Sequence, residues 1–191
     1  ATENLNYYVS GSFFNQDGIA QGSSFRRYNI RANAEVKASK WLKMGTNTMI
    51  SYEEIEQADE GQPSLASPIF ASRMMLPYWN PYREDGSIAS QSDGSWTGIG
   101  QNPIEWMDNN PVKHKKYKIL STVFAEITPI ENLTIRSQFG VDFSHNASSM
   151  KSFPSYILNG GLGTAGRSSY DGMNLTETTT ATYRWKYRQD H

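Results

Sequence analysis

Apolar and polar residues alternate over two long runs between Phe25 and Tyr52, with a short turn at residues 38–40. Side chains of a β-strand point to alternate faces, so the even positions of both runs form one mainly apolar face. The odd positions carry charges and amides. Strands of soluble proteins usually have about 5–6 residues, whereas transmembrane barrels use alternating segments of about 10 residues. The two runs therefore indicate barrel strands.

The same alternation predicts four further strands, at Leu5–Asn15, Tyr117–Thr128, Leu133–Ser144 and Met173–Arg188. Short turns follow the second and fourth strands, and longer connections follow the others, the longest at residues 54–116. In an antiparallel meander this places the short turns at one sheet edge and the long loops at the opposite edge. The chain is therefore predicted to be all-β. It is predicted to be an antiparallel transmembrane β-barrel segment of about six strands, with long extracellular loops and short periplasmic turns. All 191 residues are expected to belong to one barrel domain.

The apolar face is expected to meet lipid, and the polar face to line a wet interior. Burial of so many charges in a dry core would cost on the order of several kcal/mol each. The predicted lumen-facing residues are Arg27, Arg31, Glu35, Arg136, Asp142 and Arg184. Aromatic residues near strand ends predict an interfacial girdle. Its predicted members are Tyr28, Tyr52, Tyr117, Phe143, Tyr183 and Trp185.

Composition excludes several classes of protein. The net charge of −1 gives no electrostatic reason to expect a nucleic acid partner. The absence of cysteine excludes disulfides and thiolate metal sites, and no apolar run is long enough for a transmembrane helix. The polar start at Ala1 is not a signal peptide, so an exported barrel protein of this sequence is expected to be an excised piece or to have lost its leader.

The sequence does not predict an enzyme. Its histidines, at His114, His145 and His191, are not at the spacing of a metal site or a catalytic triad. No catalytic residue, metal ligand set or cofactor is predicted. An acidic run of Glu53, Glu54, Glu56, Asp59 and Glu60 is either a solvated loop or a calcium site, but it lacks the residue order of a calcium-binding loop.

A basic run lies near the start of the fourth predicted strand. Its members are Lys113, His114, Lys115, Lys116 and Lys118. The run would lie at the membrane edge, where it is either simply solvated or in contact with lipopolysaccharide phosphates.

Several motifs resemble a known family. They are NYYVSGS at 6–12, NQDG at 15–18, FRRYNIRAN at 25–33, WLKMGTN at 41–47, SP at 67–68, NPY at 80–82, DG at 85–86, NNP at 109–111 and FGVD at 139–142. They are similar to a mid-barrel segment of the SusC/RagA-like TonB-dependent transporters of Gram-negative bacteria. The resemblance implies a 22-stranded outer-membrane barrel with an N-terminal plug. It also implies TonB-driven import of oligosaccharides or oligopeptides, with a SusD-like surface lipoprotein as lid.

Aromatic residues of the long loop are the best binding candidates. They are Tyr78, Trp79, Tyr82, Trp96 and Trp106. Aromatic rings stack on sugars or peptides, so these residues are predicted to contact the cargo or the lid lipoprotein. The alternative is that they pack the loop onto its neighbours or onto the lid partner, because a proline-rich loop needs a small core of its own. A second interpretation of the whole chain is a soluble secreted β-sandwich binding module or adhesin with aromatic carbohydrate-binding loops.

Overall fold

The computed structural model describes residues 4–58, 67–154 and 161–185, which form one antiparallel sheet and two short helices. The strands are β1 (Leu5–Asp17), β2 (Ser24–Lys37), β3 (Leu42–Gln57), β4 (Val112–Ile130), β5 (Leu133–Ser152) and β6 (Thr164–Tyr183). The helices α1 (Pro68–Met74) and α2 (Pro103–Asn109) both lie between β3 and β4.

The strands pair in chain order, from β1 to β6, and every neighbouring pair is antiparallel. This meander confirms the predicted fold class. The sheet is not closed, so β1 and β6 are both edge strands. The residues that the structure describes form no second sheet, and the sandwich interpretation therefore does not fit them.

Turns and loops segregate to opposite sheet edges. The short connections are residues 38–41 and the two-residue turn at Glu131 and Asn132. Asn132 has a φ of 68°, a left-handed conformation that asparagine tolerates better than most residues. The longer connections, at 18–23, 58–111 and 153–163, all lie at the other edge. These edges are the two ends of the strands, not the edge strands β1 and β6. We call them the short-turn edge and the long-loop edge.

Three strands differ in extent from the sequence prediction. β4 begins at Val112 rather than Tyr117, β5 continues to Ser152, and β6 spans Thr164–Tyr183 rather than starting at Met173. The long loop therefore occupies 58–111 rather than 54–116. Polar side chains on both faces hide the alternation of these strand ends, and only the pairing register reveals them. The predicted end of the sixth strand, after residue 185, lies outside the described residues.

Cross-strand neighbours lie on the same face of a sheet, so the register divides the side chains into two faces. The apolar face contains the row Ile30, Ile50, Ile119, Phe143 and Met173. The polar face contains the row Ser10, Arg31, Met49, Leu120, Asp142 and Asn174. Both rows cross nearly the whole sheet, so a single alternation governs all six strands.

The sheet has almost no apolar core of its own. Ile30 is 58% exposed and Val123 is 51% exposed on the apolar face, while Phe124 on the polar face is buried. Contiguous exposed apolar surface of this extent marks a surface that contacts another apolar phase or partner. The apolar face is therefore the feature that any functional account must explain.

Candidate functional site

The predicted lumen-facing residues lie on the polar face. The register places Arg27, Arg31, Glu35, Arg136 and Asp142 there, and Arg184 follows the end of β6, where its backbone N–H donates to the Asn132 carbonyl at 2.9 Å. Ion pairs join several of these residues to neighbours on the same face. Lys43 lies 3.0 Å from Glu35, Lys118 lies 3.3 Å from Asp142, and Arg136 lies 3.4 Å from Glu126. All six paired side chains are partly exposed, so the polar face suits contact with water or with a polar surface.

A concavity of about 330 Å³ lies on the polar face toward the short-turn edge. Its polar lining includes the amides of Asn6, Asn33 and Asn47. The Arg136 guanidinium lies 3.8 Å from the centroid of the Phe124 ring at the same place, a cation–π geometry. Amides, a cation and an aromatic ring together can hydrogen-bond and stack on a polar ligand or peptide segment.

Tyrosines form a continuous row on the apolar face. Tyr28, Tyr52 and Tyr117 are cross-strand neighbours, with ring centroids 6.2 Å and 4.6 Å apart, and Phe13 extends the row onto β1 at 4.9 Å from Tyr28. We call these four residues the tyrosine row. Phe143 lies one row closer to the short-turn edge than the tyrosine row.

The opposite end of the apolar face also carries aromatic residues. Tyr183 is paired with Leu133 at the short-turn edge, and Trp185 follows it. Both are exposed, as is Trp41 in the first short turn. Apart from Phe143, the residues predicted for the girdle therefore lie at two levels, at the two ends of the strands.

The apolar band between these levels has the height of a membrane. From Leu133, which is level with Tyr183, to Phe143, which is one row short of the tyrosine row, β5 rises about 34 Å at roughly 3.4 Å per residue. With the usual tilt of about 40°, the band is about 26 Å tall, close to the roughly 25 Å apolar band of outer-membrane barrels. The match combines the number of residues in this part of β5 with the tilt that is usual for barrel strands, and it does not depend on the exposure of the side chains.

One carboxylate interrupts the apolar band in the described strands. Glu177 on β6 is paired with Phe139, near the middle of the band. The Thr179 hydroxyl donates to its carboxylate at 2.6 Å, and the Ser137 hydroxyl lies 3.4 Å from it. The sequence interpretation assigned Glu177 to neither face, because apolar residues do not continue through this part of the last strand.

The long loop has a small polar core of its own. Asn102 is fully buried, and its amide donates to the carbonyls of Pro81 and Ala89 at 2.8 and 2.7 Å. Its side-chain oxygen caps α2 by accepting from the Ile104 N–H at 3.0 Å. A single side chain thus joins three separate stretches of the loop, which explains how a long irregular segment keeps a defined shape.

Trp96 and Glu105 complete this core. Trp96 is 7% exposed, and its indole N–H donates to the Gly100 carbonyl at 3.0 Å. The buried Glu105 carboxylate accepts from the Ser90 hydroxyl, and from the Gln91 N–H at 3.2 Å. The prediction that Trp96 contacts cargo or a lid therefore does not fit its burial, since its ring packs the loop.

The other loop aromatics differ in accessibility. Tyr78 is 73% exposed and Tyr82 is 39% exposed, while Trp79 and Trp106 are half-buried. Tyr78 and Trp79 meet edge to face with ring centroids 5.9 Å apart. Trp106 instead lines a cavity of about 240 Å³ beside Met107 and Gly22, where α2 meets the first long connection. Of the five loop aromatics predicted to bind, Tyr78 and Tyr82 are therefore the exposed ones, and Trp79 lies against Tyr78.

An exposed ion pair fixes another part of the loop. The Arg83 guanidinium bonds the Asp93 carboxylate and also donates to the Ser95 hydroxyl at 3.1 Å. Hydrogen bonds from the hydroxyl and the backbone N–H of Ser95, together with the Arg83 charge, hold the pKa of Asp93 below its usual range. Asp93 is therefore ionised at neutral pH and keeps this contact.

The acidic and basic runs meet across β3 and β4. Glu56 lies 2.6 Å from Lys113, and Glu54 lies 3.5 Å from Lys115. The acidic run is thus the end of β3, where its side chains form ion pairs, whereas Asp59 and Glu60 lie outside the described residues.

Within the described ranges, no group of three or more histidine, aspartate or glutamate side chains is arranged to bind a metal. In the same ranges, no helix has the length and apolarity required to cross a bilayer.

Comparisons with known proteins agree with the sequence resemblance. No family model matches the chain. The chain is 27% identical to TonB-dependent receptor P26 of Formosa agariphila over all of its own length and 19% of that protein. It is 26% identical to TonB-dependent receptor P3 of the same organism, over 95% of the chain and 18% of the relative.

Solved structures give the same result. The RagAB peptide importer in its closed-closed state aligns with a TM-score of 0.83 and 26% identity, over 98% of this chain and 21% of the other. A further structure of the RagAB peptide transporter has the same TM-score at 27% identity. The chain thus spans about a fifth of the length of the proteins that it matches. The resemblance to SusC/RagA-like TonB-dependent transporters is confirmed. These relatives are described as receptors and transporters, which is consistent with the prediction of no enzymatic activity.

Proposed function

We propose that the chain is a segment of a SusC/RagA-like TonB-dependent transporter and that it forms part of the barrel wall of an outer-membrane importer. All 191 residues would belong to the barrel domain, with the loop at 58–111 on the extracellular side. The six strands would each cross the outer membrane. The proposal rests chiefly on the exposed apolar band, which has the height of a bilayer and ends at the tyrosine row.

The two faces of the sheet would meet different surroundings. Hydrocarbon would cover the apolar face, with the tyrosine row at the outer interface and Tyr183 and Trp185 at the inner one, where aromatic residues are enriched in barrels. The polar face would line the interior. Its ion pairs, such as Arg136 with Glu126, support this orientation, because partly exposed charges need water or a polar partner.

The cargo is proposed to be an oligopeptide or an oligosaccharide. Similarity to the RagAB peptide importer favours peptides. A SusD-like surface lipoprotein would act as the lid, and TonB would supply energy through a part of the transporter outside this chain.

The long loop is proposed to contact the lid or the cargo through Tyr78, Trp79 and Tyr82. The loop core around Asn102 gives these rings a rigid base, since its hydrogen bonds fix the chain on both sides of Tyr82. An aromatic ring held in place binds with little loss of conformational entropy. Exposed rings on a preformed loop are thus suited to a partner that docks repeatedly.

The test is the double variant Tyr78→Ala with Trp79→Ala in the full-length transporter. Loss of cargo uptake or of lid affinity by at least about tenfold is expected, which corresponds to roughly 1.4 kcal/mol. Ile99→Ala is the control, because Ile99 is an apolar residue of the same loop whose exposure of 66% is close to the 73% of Tyr78. Unchanged uptake and unchanged lid affinity in the double variant would remove the contact role of this loop.

A further inference from the structure

Four cations surround Ser149 on the apolar face, beyond the tyrosine row and toward the long-loop edge. Lys113 and Arg167 are its direct neighbours on β4 and β6. Lys151 lies two residues further along β5, and Lys115 is opposite Ala147, two residues back. We call Lys113, Lys115, Lys151 and Arg167 the basic patch.

The spacing of the basic patch suits one phosphate group. Adjacent strands lie about 4.8 Å apart, so the backbones of Lys113 and Arg167 are about 10 Å apart on either side of Ser149. Their long side chains can converge on an anion above the serine hydroxyl. The four cations and Ser149 line an open cleft of about 400 Å³, which is large enough for a phosphate and its attached sugar or glycerol.

The charge of the basic patch is only partly compensated. Glu56 and Glu54 on β3 pair with Lys113 and Lys115, whose side chains remain about half exposed. In the described parts of the chain, neither Lys151 nor Arg167 has an ion-pair partner. Asp171, a further carboxylate of this face, is bonded to His145 two rows nearer the short-turn edge. The cleft thus carries a net positive charge of about two.

The position of the basic patch relative to the tyrosine row identifies the ligand. Lys115 and Lys113 lie two and four residues beyond Tyr117 on the same face, which is about 7 and 14 Å along the strand. If the tyrosine row marks the outer membrane interface, the patch lies at the level of the lipid headgroups. Phosphates attached to lipid are concentrated at this level and face the outside of the barrel.

We infer that the basic patch binds a phosphorylated lipid headgroup of the outer leaflet, of the lipopolysaccharide type. The inference rests on the proposed membrane orientation of the apolar face. Lys151 and Arg167 supply the uncompensated charge, Ser149 donates a hydrogen bond, and Lys113 and Lys115 position the headgroup while they remain bonded to β3. Such a lipid would also fix the ends of β4, β5 and β6, where the sheet extends beyond the membrane.

The experiment compares two double variants of the full-length transporter in detergent. Lys151→Gln with Arg167→Gln removes the unpaired charge of the patch. Lys40→Gln with Lys116→Gln is the control and removes the same amount of charge outside the patch, because Lys40 lies at the short-turn edge and Lys116 on the polar face. Binding of bis-phosphorylated lipid A is measured by native mass spectrometry, and folding is verified by the gel shift of the heated and unheated barrel.

The patch variant is expected to bind lipid A at least about tenfold more weakly, and the control variant within about twofold of the parent. Lipid A without phosphates should bind all three proteins weakly and equally. Equal binding of phosphorylated lipid A by the parent and the patch variant would overturn the inference. Inorganic phosphate that displaces lipid A at equal concentration would also overturn it, because the patch would then be a site for a free anion.

Failure of this inference is distinguishable from failure of the proposed function. A transporter that needs detergent and imports cargo, but binds lipid A equally well with and without the charges of the basic patch, would refute only the headgroup site. A protein that stays soluble without detergent would refute the membrane orientation as well.

Discussion

Phe124 covers Gly45 on the polar face, where the two residues are direct cross-strand neighbours. A methyl group on Gly45 would lie 2.6 Å from the Phe124 ring and 2.7 Å from the Ala34 carbonyl oxygen. Glycine weakens a strand, and an aromatic side chain laid across it restores the lost packing. Together with the Arg136 guanidinium, 3.8 Å from the centroid of the ring, this contact accounts for the burial of Phe124 on a face that is otherwise polar.

Substitution of Gly45 is therefore expected to destabilise the barrel. In Gly45→Ala the new methyl group displaces the Phe124 ring, at a cost of about 1–3 kcal/mol typical of overpacking. Gly140→Ala is the matched control on the same face, because its methyl group would meet its nearest neighbour at an ordinary 3.7 Å. The free energy of unfolding of each variant is measured in urea by tryptophan fluorescence. Equal stability of the two variants would show that Phe124 does not constrain Gly45.

Arginine placed on neighbouring positions of β4 distinguishes the two faces. Val123 lies in the middle of the apolar band, and Thr122 lies on the polar face. Val123→Arg is expected to destabilise the barrel in lipid vesicles by about 2–4 kcal/mol, the cost of arginine at the middle of the bilayer. Thr122→Arg should change stability much less. A similar loss in both variants would contradict the assignment of the faces.

Removal of the carboxylate from the apolar band is expected to stabilise the protein. Glu177→Leu replaces a charge by an apolar group on this face, and the Thr179 hydroxyl keeps the Ser137 hydroxyl as a partner at 3.0 Å. The expected gain is up to about 2 kcal/mol in vesicles. Thr178→Leu, on the polar face, is the control and should give no gain. A loss of stability in Glu177→Leu would indicate that the carboxylate has a polar partner on an adjoining strand.

The loop depends on Asn102 more than on any exposed asparagine of the same loop. Asn102→Ala leaves the Pro81 and Ala89 carbonyls without their donor and removes the cap of α2, and each unsatisfied buried group costs about 1–3 kcal/mol. Proteolysis of the loop in the folded transporter should become at least about tenfold faster. Asn80→Ala removes one exposed hydrogen bond, which the Asn80 side-chain oxygen accepts from the Tyr82 N–H, and should leave the rate within about twofold. Equal rates in both variants would mean that Asn102 does not hold the loop.

The alternation of residues was sufficient to predict the strands and both faces between Tyr28 and Val36, where every second side chain is apolar. It failed at the outer ends of the strands, because Lys113 to Lys118 carry charge on both faces. The pairing of Glu56 with Lys113 depends on a register that brings together residues on either side of the long loop. No periodic signal encodes that register.

The candidate site also combines features that the sequence pattern predicts with features that only the fold determines. The tyrosine row follows from the alternation, whereas the burial of Trp96 depends on the fold of an irregular loop. The role of Asn102 depends on where Pro81 and Ala89 lie in space, and composition alone does not predict such a contact. The basic run was visible in the sequence, but Lys151 and Arg167 join it only because β5 and β6 extend past the tyrosine row.

The most direct test of the account is the environment of single spin labels on the two faces. This chain contains no cysteine, so Ile50→Cys, Val123→Cys and Thr122→Cys each introduce one thiol within it for labelling in the vesicle-inserted transporter. The spin labels at 50 and 123 are predicted to relax faster in the presence of oxygen, which partitions into lipid. The spin label at 122 is predicted to relax faster in the presence of a water-soluble nickel complex. Equal accessibility of the three labels to the nickel complex would contradict the assignment of the apolar face to the membrane.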